Sequence, residues 1–445
     1  MKRDIDNKPK NRRIFAVVFL TIFLDMVGFS VLFPLFPSML DYYLEREATL
    51  GGGIVTEFVQ LIEQFSFSDQ NSSSFRFEIV IFGGALGSLY AILQFFFAPV
   101  WGRLSDKIGR RPVLIFTVGG TCLGYALWIF AGDFWVLVLS RFLGGVASGN
   151  LSVATAAVAD VTSRQDRSKG MALIGIAFGL GFMLGPALGG IAYDWKLSEG
   201  TTSIFGLTPF SSAAIISLSL ALINWFWVYK FFKETLITRA TPETSPAKPA
   251  IFHLRQVENR SVKITCMAHL FYMISFSGME FTLTFLAVER FAYEPLDITK
   301  MFLVIGVTLI FVQGFFVRRF VGKIGEKKMA LLGIVLGTLA FVLISQSFVE
   351  SVFFPALFLM SAGVAMISPT LTALTSLNSS DTDQGFHLGV FRSSGSLARA
   401  CGPILAGTIY FLHGSVVAYI MGAIILLIPF LMLMKIPQPE ISKEK

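Results

Sequence analysis

The stretch Gly102-Arg103-Leu104-Ser105-Asp106-Lys107-Ile108-Gly109-Arg110-Arg111-Pro112 lies between two apolar stretches, residues 77–101 and 112–131. A bilayer-spanning helix takes about 20 apolar residues, so each neighbour is long enough to cross a membrane. The glycines permit a tight turn, and the basic residues are typical of cytoplasmic loops. Asp106 can pair with a basic neighbour or cap a facing helix terminus. The stretch therefore predicts a short cytoplasmic turn between two membrane helices.

The composition of the whole chain indicates lipid as the solvent. Of its 445 residues, 54% are hydrophobic and 15% are charged, and the mean hydropathy is +0.69. Soluble domains carry about a quarter charged residues. The net charge of +7 lies in short basic runs between apolar stretches, so no nucleic-acid partner is expected. The sequence shows no metal cluster, nucleophile motif or phosphate loop, so we expect no enzymatic activity, catalytic residue, metal or bound cofactor.

Twelve apolar stretches, which we number as spans 1 to 12, predict an all-α membrane protein. The basic amino terminus and the basic turns place both termini in the cytoplasm, and the acidic stretch between spans 1 and 2 then lies outside. We expect the plasma (inner) membrane as the location. The predicted spans are 14–38, 77–101, 112–131, 134–158, 169–192, 210–233, 262–289, 298–319, 327–348, 352–377, 386–412 and 415–434.

Two internal repeats predict that the chain is duplicated. Lys107-Ile108-Gly109-Arg110-Arg111 after span 2 is repeated as Lys323-Ile324-Gly325-Glu326-Lys327 after span 8. Gly185-Pro186-x-x-Gly189-Gly190 in span 5 is repeated as Gly402-Pro403-x-x-Ala406-Gly407 in span 11. We therefore predict two six-helix bundles, residues 1–233 and 262–445, joined by a polar cytoplasmic linker, residues 234–261.

The outer loop, residues 39–76, is predicted to contain an amphipathic helix. Its apolar residues fall on one helical face: Ile54, Val55, Phe58, Val59, Ile62 and Phe65. This helix either lies on the membrane surface or packs as a lid on helix ends.

Several motifs of the sequence resemble those of a known family. The stretch 102–112 resembles the loop 2–3 signature of the major facilitator superfamily, whose members have two six-helix bundles and alternating access. Leu24-Asp25-x-x-Gly28, Pro34-x-x-Pro37 and the span 5 Gly-Pro run are similar to the drug:proton antiporter group. Four further segments resemble its tetracycline-transporter-like branch, which includes organic-anion transporters: Phe82-Gly83-Gly84, Ser148-Gly149-Asn150-Leu151-Ser152, Ser277-Gly278-Met279-Glu280 and Leu397-Ala398-Arg399-Ala400.

The resemblance implies roles for two motifs. In the family, the residues matching Gly102, Asp106, Gly109, Arg110 and Arg111 form a cytoplasmic latch that stabilises one face of the transport cycle. Gly322 stands where a second Asp106 would fall, so only the first copy should act in this way. The span 5 motif is associated with antiporters, and it comprises Gly181, Gly185, Pro186, Gly189 and Gly190. Glycines four residues apart also let two membrane helices approach closely.

Charged residues inside a bilayer are costly, so they are functional candidates. Asp25, Arg141 and Arg399 are expected to converge near mid-depth from spans 1, 4 and 11. Asp25 is predicted to bind the coupling proton, and the resemblance implies that Arg141 couples to this acid. Glu280 is either a second protonation site or an outer gate residue. Asp25 could instead be a packing residue bonded to backbone, and Arg141 could form a purely structural ion pair.

Span 11 carries the predicted substrate site. Arg392, Ser396 and Arg399 share one helical face. The fork of a guanidinium suits carboxylate, sulfonate or phosphate groups, which favours an anionic or zwitterionic substrate. In the competing account, one arginine neutralises Glu280 or Asp25. His269 in span 7 is expected to pack between helices or lie at the interface.

These features together predict a monomeric antiporter that uses the proton gradient to export small amphipathic organic molecules, drug-like and including organic anions. Its expected partners are a small-molecule substrate, protons and the lipid bilayer. A proton symporter or uniporter of a small metabolite, or a lipid-handling membrane protein, remains an alternative.

Overall fold

A computed structural model describes residues 8–64, 78–162, 167–195, 197, 206–236, 254–379 and 384–437. Every regular element within these ranges is a helix. A short 3-10 turn, Phe33–Leu35, follows α1, and a π-helical segment, Val312–Val317, follows α11. The α-helices are α1 (Lys8–Ser30), α2 (Phe36–Leu50), α3 (Ile54–Gln64), α4 (Glu78–Ile108), α5 (Arg110–Ile129), α6 (Phe134–Ala147), α7 (Asn150–Val161), α8 (Arg167–Asp194), α9 (Ser211–Phe231), α10 (Arg260–Phe291), α11 (Pro295–Phe311), α12 (Arg318–Ile324), α13 (Glu326–Ser345), α14 (Glu350–Leu377) and α15 (Gln384–Met434).

The predicted spans all fall on these helices. In the described part of the chain, ten helical stretches are long and apolar enough to cross a membrane. Helix α8 covers the predicted span 5. The stretch His387–Met434 contains spans 11 and 12, and Gly414 divides it with a non-helical φ of 80° and ψ of 173°. The two spans are therefore joined by one glycine.

Spans 1 and 4 are interrupted, where the sequence predicted continuous helices. The backbone leaves the α-helical path after Ser30 and returns at Phe36, because Pro34 and Pro37 lack the amide hydrogen that would continue the ladder. Helix α2 then extends to Leu50, so residues 39–50 of the predicted outer loop are helical. Span 4 is divided by a turn at Ser148 and Gly149.

The predicted amphipathic helix of the outer loop is present as α3. Its first turn is capped by Glu47, whose carboxylate accepts hydrogen bonds from the backbone N–H of Val55 at 3.0 Å and of Thr56 at 2.7 Å. Whether α3 lies on a membrane stays a prediction.

The chain forms two compact units: Met1–Leu35 with Leu89–Pro249, and Phe36–Ser88 with Ala250–Lys445. The core of the first unit includes the fully buried side chains of Val18, Leu114, Val153 and Val228. The predicted division of the chain at residues 234–261 stays a prediction.

Candidate functional site

The turn between α4 and α5 is built around Arg110, whose side chain is buried. Its guanidinium donates to Asp160 Oδ2 at 2.9 Å and to Ser105 Oγ at 2.7 Å. It also pairs with Asp106 Oδ1 at 2.5 Å, within the same turn. Asp160 lies at the end of α7, so Arg110 fixes that helix end to the α4–α5 turn. Gly102 faces α7 as well, because a methyl group on it would come within 2.9 Å of Ser152 Oγ.

Glu234 caps the first turn of α5 from the segment after α9. Its carboxylate accepts the backbone N–H groups of Arg110 at 2.9 Å and Arg111 at 3.1 Å, and also those of Thr235 and Leu236. Burial of the carboxyl opposes ionisation, but the backbone donors outweigh it and hold the pKa of Glu234 below its ordinary value. Gly109 has a φ of 113°, and any side chain there would collide with this carboxylate.

The second copy of this motif keeps part of the arrangement. Gly325 has a φ of 84° and a ψ of 150°, close to the 113° and 154° of Gly109. Arg111 donates to the backbone carbonyl of Tyr229 at the end of α9, and the matching Lys327 donates to that of Met434 at the end of α15. The backbone turn and the basic contact are therefore repeated in both units.

Asp25 is buried in α1, with 7% of its surface exposed. Asn150, the first residue of α7, donates from Nδ2 to Asp25 Oδ1 at 3.0 Å. Tyr90 and Tyr125 both interact electrostatically with Asp25 and with Arg141. The structure therefore brings Asp25 and Arg141 into one cluster, in which both charges interact with the same two tyrosines.

Arg141 lies against aromatic rings. Its Cζ is 4.8 Å from the ring centroid of Trp128 and 5.7 Å from that of Tyr125, both on α5. Its Nε donates to Ser140 Oγ at 3.1 Å. A desolvated cation over an aromatic face is stabilised by the ring quadrupole. The rings therefore stabilise the buried guanidinium beside the Asp25 cluster.

Gly145 and Gly149 follow Arg141 at four-residue spacing, which predicts a close helix contact, and both glycines face α4. A methyl group on Gly145 would lie 2.8 Å from Leu93 Cβ, and one on Gly149 would lie 2.5 Å from Trp101 Cβ. The close helix approach predicted from the glycine spacing is thus present.

The span 5 glycines bring α8 against α1. A methyl group on Gly181 would lie 2.5 Å from the carbonyl oxygen of Phe23, and one on Gly185 would lie 2.6 Å from that of Val27. A methyl group on Gly189 would collide with the carbonyl of Val31. The remaining motif residues, Pro186 and Gly190, are buried in α8.

The second unit repeats this pairing between α10 and α15. A methyl group on Gly402 would lie 2.8 Å from the carbonyl oxygen of Ile274, and one on Gly278 would lie 2.6 Å from Ala406 Cβ. The Gly-Pro repeat in the sequence therefore corresponds to a repeated close contact between two helices.

The predicted substrate face lies on α15. Arg392, Ser396 and Arg399 are half-buried, and Ser396 donates to the backbone carbonyl of Arg392 at 3.2 Å. Glu280 on α10 and Arg392 each interact electrostatically with Arg399. Arg399 thus belongs to a cluster in which two arginines accompany one carboxylate.

His269 on α10 packs against α15, the helix that carries the predicted substrate face. Its ring is stacked on Phe391 with centroids 3.9 Å apart, and its Nε2 is 2.7 Å from where a methyl group on Gly395 would stand.

Asp25 and Arg141 lie in the first unit and Arg399 in the second, so the convergence of these three charges stays a prediction.

A family model described as Major Facilitator Superfamily matches residues 18–324 and 311–445. The chain belongs to the major facilitator superfamily. The twelve-helix fold of that superfamily and the resemblance inferred from the motifs are confirmed, and the protein is an integral membrane transporter.

Relatives of this major facilitator protein match over nearly its whole length. Major facilitator superfamily domain-containing protein 10 of Mus musculus is 34% identical, over 98% of this chain and 95% of the relative. Tetracycline resistance protein, class H, of Pasteurella multocida is 28% identical, over 93% and 94%. A crystal structure of the human organic anion transporter MFSD10 (TETRAN) aligns with a TM-score of 0.77 and 31% identity, covering 96% of this chain and all of that chain.

Sequence reasoning about this major facilitator protein missed several partners of the predicted residues. Asp160 and Glu234 anchor the α4–α5 turn, and each is a carboxylate just past an apolar stretch. A carboxylate directly after an apolar stretch could have been used to predict these contacts, since the basic residues after span 2 need partners nearby. Asn150 was part of a quoted motif, but its contact with Asp25 was not predicted.

A further polar cluster at the end of α10 was also missed. Arg290 donates to the backbone carbonyls of Ile344 and Ser347 at 2.8 Å and to Ser415 Oγ at 3.0 Å. Ser415 in turn donates to Glu289 Oε1 at 3.1 Å, and the Tyr410 hydroxyl donates to the same carboxylate. These bonds hold the α15 break at Gly414 against α10 and α13.

Proposed function

We propose that this transporter is a proton-coupled antiporter that exports small amphipathic organic molecules by alternating access, with organic anions as the leading substrate class. The names of its relatives support the transport of drug-like molecules and organic anions, since they include tetracycline resistance proteins and an organic anion transporter. The proposed driving force is the proton gradient, with no bound cofactor. The proposed location is the plasma (inner) membrane, where the protein acts as a monomer with both termini in the cytoplasm.

The buried Asp25 carries the proposal for proton coupling. A carboxylate inside a membrane protein is costly when charged, so its protonation responds strongly to neighbouring charge and to solvent. Asp25 is held by Asn150, and Tyr90 and Tyr125 connect it electrostatically to Arg141. In the proposed cycle, protonation of Asp25 competes with substrate occupancy, and Arg141 transmits the change.

The arginine face of α15 supports an anionic substrate. Arg392 and Arg399 bring two positive charges to a region where Glu280 supplies one negative charge. We propose that Glu280 offsets the charge of Arg399 and that the excess positive charge attracts the anion. Arg392, Ser396 and Arg399 would then hold its acidic group by charge-assisted hydrogen bonds.

The α4–α5 turn is proposed as the cytoplasmic latch. The buried Arg110 holds Asp106, Ser105 and Asp160 together, and Glu234 fixes the start of α5. The close α1–α8 contact through Gly181, Gly185 and Gly189 supports the antiporter assignment of the span 5 motif.

The experiment uses purified protein in liposomes with an imposed pH gradient and labelled organic anions and cations. Wild-type protein should move an anion against its gradient when protons flow the other way. Asp25→Asn should still bind the anion but lose the response to the pH gradient. Asp194→Asn, at an exposed carboxylate at the end of α8, is the matched control and should behave like wild type.

Three outcomes would refute the proposal. Proton-driven transport by Asp25→Asn at the wild-type rate would remove Asp25 from coupling. Proton and substrate movement in the same direction would show symport. A substrate flux that does not depend on the pH gradient would favour a uniporter or a lipid-handling protein.

A further inference from the structure

The break in span 4 places one amide side chain against Asp25. Helix α6 ends at Ala147, and Ser148 donates from Oγ to the backbone carbonyl of Gly145 at 2.5 Å, which closes the helix end. The chain turns at Ser148 and Gly149, and Asn150 starts α7 with 0% of its surface exposed. A continuous helix would direct residue 150 elsewhere, so the turn has a direct effect on the surroundings of Asp25.

Asn150 leaves its acceptor oxygen unused in this arrangement. Its Nδ2 donates to Asp25 Oδ1 at 3.0 Å. Its Oδ1 is buried, and among the residues that the structure describes no donor reaches it. A buried acceptor without a donor costs stability, so such an atom is a site where a proton donor would be favoured.

The protonated form of Asp25 can supply the missing hydrogen-bond donor. A carboxylic acid and a primary amide form a cyclic pair, in which the amide N–H donates to the acid carbonyl and the acid O–H donates to the amide oxygen. We propose that Asp25 and Asn150 are such a pair, so that Asn150 accepts the proton-bearing O–H of Asp25 through Oδ1. This inference rests on the proposed proton coupling at Asp25.

The proton step balances within the pair. A proton binds the free carboxylate oxygen Oδ2 and forms an O–H bond, no covalent bond of the protein breaks, and the proton leaves by the reverse step. The charged form keeps one hydrogen bond to Asn150 and the protonated form has two. Asn150 therefore stabilises both states of the site and favours a distinct geometry in each.

Other titratable groups also face Asp25 from the neighbouring helices. Tyr90 on α4, and Cys122 and Tyr125 on α5, interact electrostatically with Asp25, and Arg141 on α6 interacts with both tyrosines. The N-terminus of α7 adds its partial positive charge, which favours the charged carboxylate. Protonation removes that attraction and adds the second hydrogen bond, so the start of α7 responds to the proton directly.

The test is an infrared difference spectrum of the full-length protein in liposomes, recorded between alkaline and acidic pH. A carboxylic acid C=O band that disappears in Asp25→Asn marks the protonated group. In Asn150→Leu this band should move to higher wavenumber, because the acid loses its hydrogen-bonding partner. The pH profile of transport should also be displaced by about one unit, the scale of one hydrogen bond to a charged group.

Asn224 supplies the matched control. It is also a buried asparagine against α1, and its Nδ2 donates to the backbone carbonyl of Thr21 at 3.3 Å, one turn before Asp25. Asn224→Leu should leave the band and the pH profile unchanged, whereas a merely structural effect would appear in both variants. If Asn150→Leu fails to fold, Asn150→Ser makes the same test, since serine lacks the amide whose N–H and C=O groups together form the cyclic pair.

The outcomes separate the pair from the proposed function. An Asp25 band that stays in place in the Asn150 variants would overturn the pair and leave Asp25 as the proton site. A spectrum with no band that depends on Asp25 would remove the proton site itself, and with it the pair.

Discussion

Replacing Gly185 by alanine is expected to separate α8 from α1. The added methyl carbon would stand 2.6 Å from the carbonyl oxygen of Val27 and would collide with Ser30 Oγ. Nonbonded heavy atoms are most stable at about 3.5–4.0 Å, so the two helices must part by roughly 1 Å. The backbone of Val27 cannot yield as a flexible side chain would.

The size of the effect follows from a comparison with Gly179 in the same helix. A methyl group on Gly179 would have no neighbour within 4 Å. Both substitutions gain about the same helix propensity, about 1 kcal/mol. The propensity gain cancels in the difference, which leaves the overpacking cost of about 1–3 kcal/mol for Gly185→Ala.

Thermal unfolding of the detergent-purified variants measures this difference. Gly185→Ala should melt below Gly179→Ala, by roughly 2–4 °C for each kcal/mol in a unit of this size. The repeat in the second unit predicts the same result for Gly402→Ala against Gly389→Ala, which has open space around it. Equal melting temperatures within each pair would refute the reasoning that these glycines are required by close backbone contact.

Two other substitutions test the α4–α5 turn and the substrate face. Glu234→Gln should lower stability by about 0.5–1 kcal/mol at neutral pH, because it removes the charge of the cap while glutamine keeps an acceptor oxygen. The pKa of Glu234 is lowered in the folded protein, so its contribution is complete above the pKa of an unfolded glutamate and is lost as the pH falls through the lowered value. The melting difference from wild type should therefore narrow in acid, and a constant gap would contradict the charged cap. Arg392→Gln should raise the KM for an organic anion about tenfold or more and leave a neutral substrate unaffected, while the exposed Arg318→Gln changes neither. An equal loss for both substrates would show that Arg392 acts only through structure.

The sequence was sufficient for the features that depend on local composition. Span positions follow from the length of apolar runs, and the α4–α5 turn follows from its glycines and basic residues. The close contacts at Gly145 and Gly185 followed from four-residue spacing, since small residues on one stripe allow helices to approach.

Features that depend on distant parts of the chain were not predictable in this way. The bond from Arg110 to Asp160 joins residues 50 apart, and the cap of Arg110 by Glu234 joins residues 124 apart. The turn at Ser148 and Gly149 is not marked by a proline, so its pattern reads as one apolar helix. The structure shows the turn in the backbone, where α6 ends at Ala147 and α7 begins at Asn150.

The single-glycine connection at Gly414 has a practical consequence for following transport by spectroscopy. Spans 11 and 12 have no loop between them that could absorb a rotation of the arginine face, and Ser415 is bonded to Glu289 and Arg290 beside the break. A displacement of the first half of α15 therefore either reaches the second half or is absorbed at Gly414. A fluorescent or spin label at Leu431, which is 58% exposed, would report that displacement without touching the substrate residues.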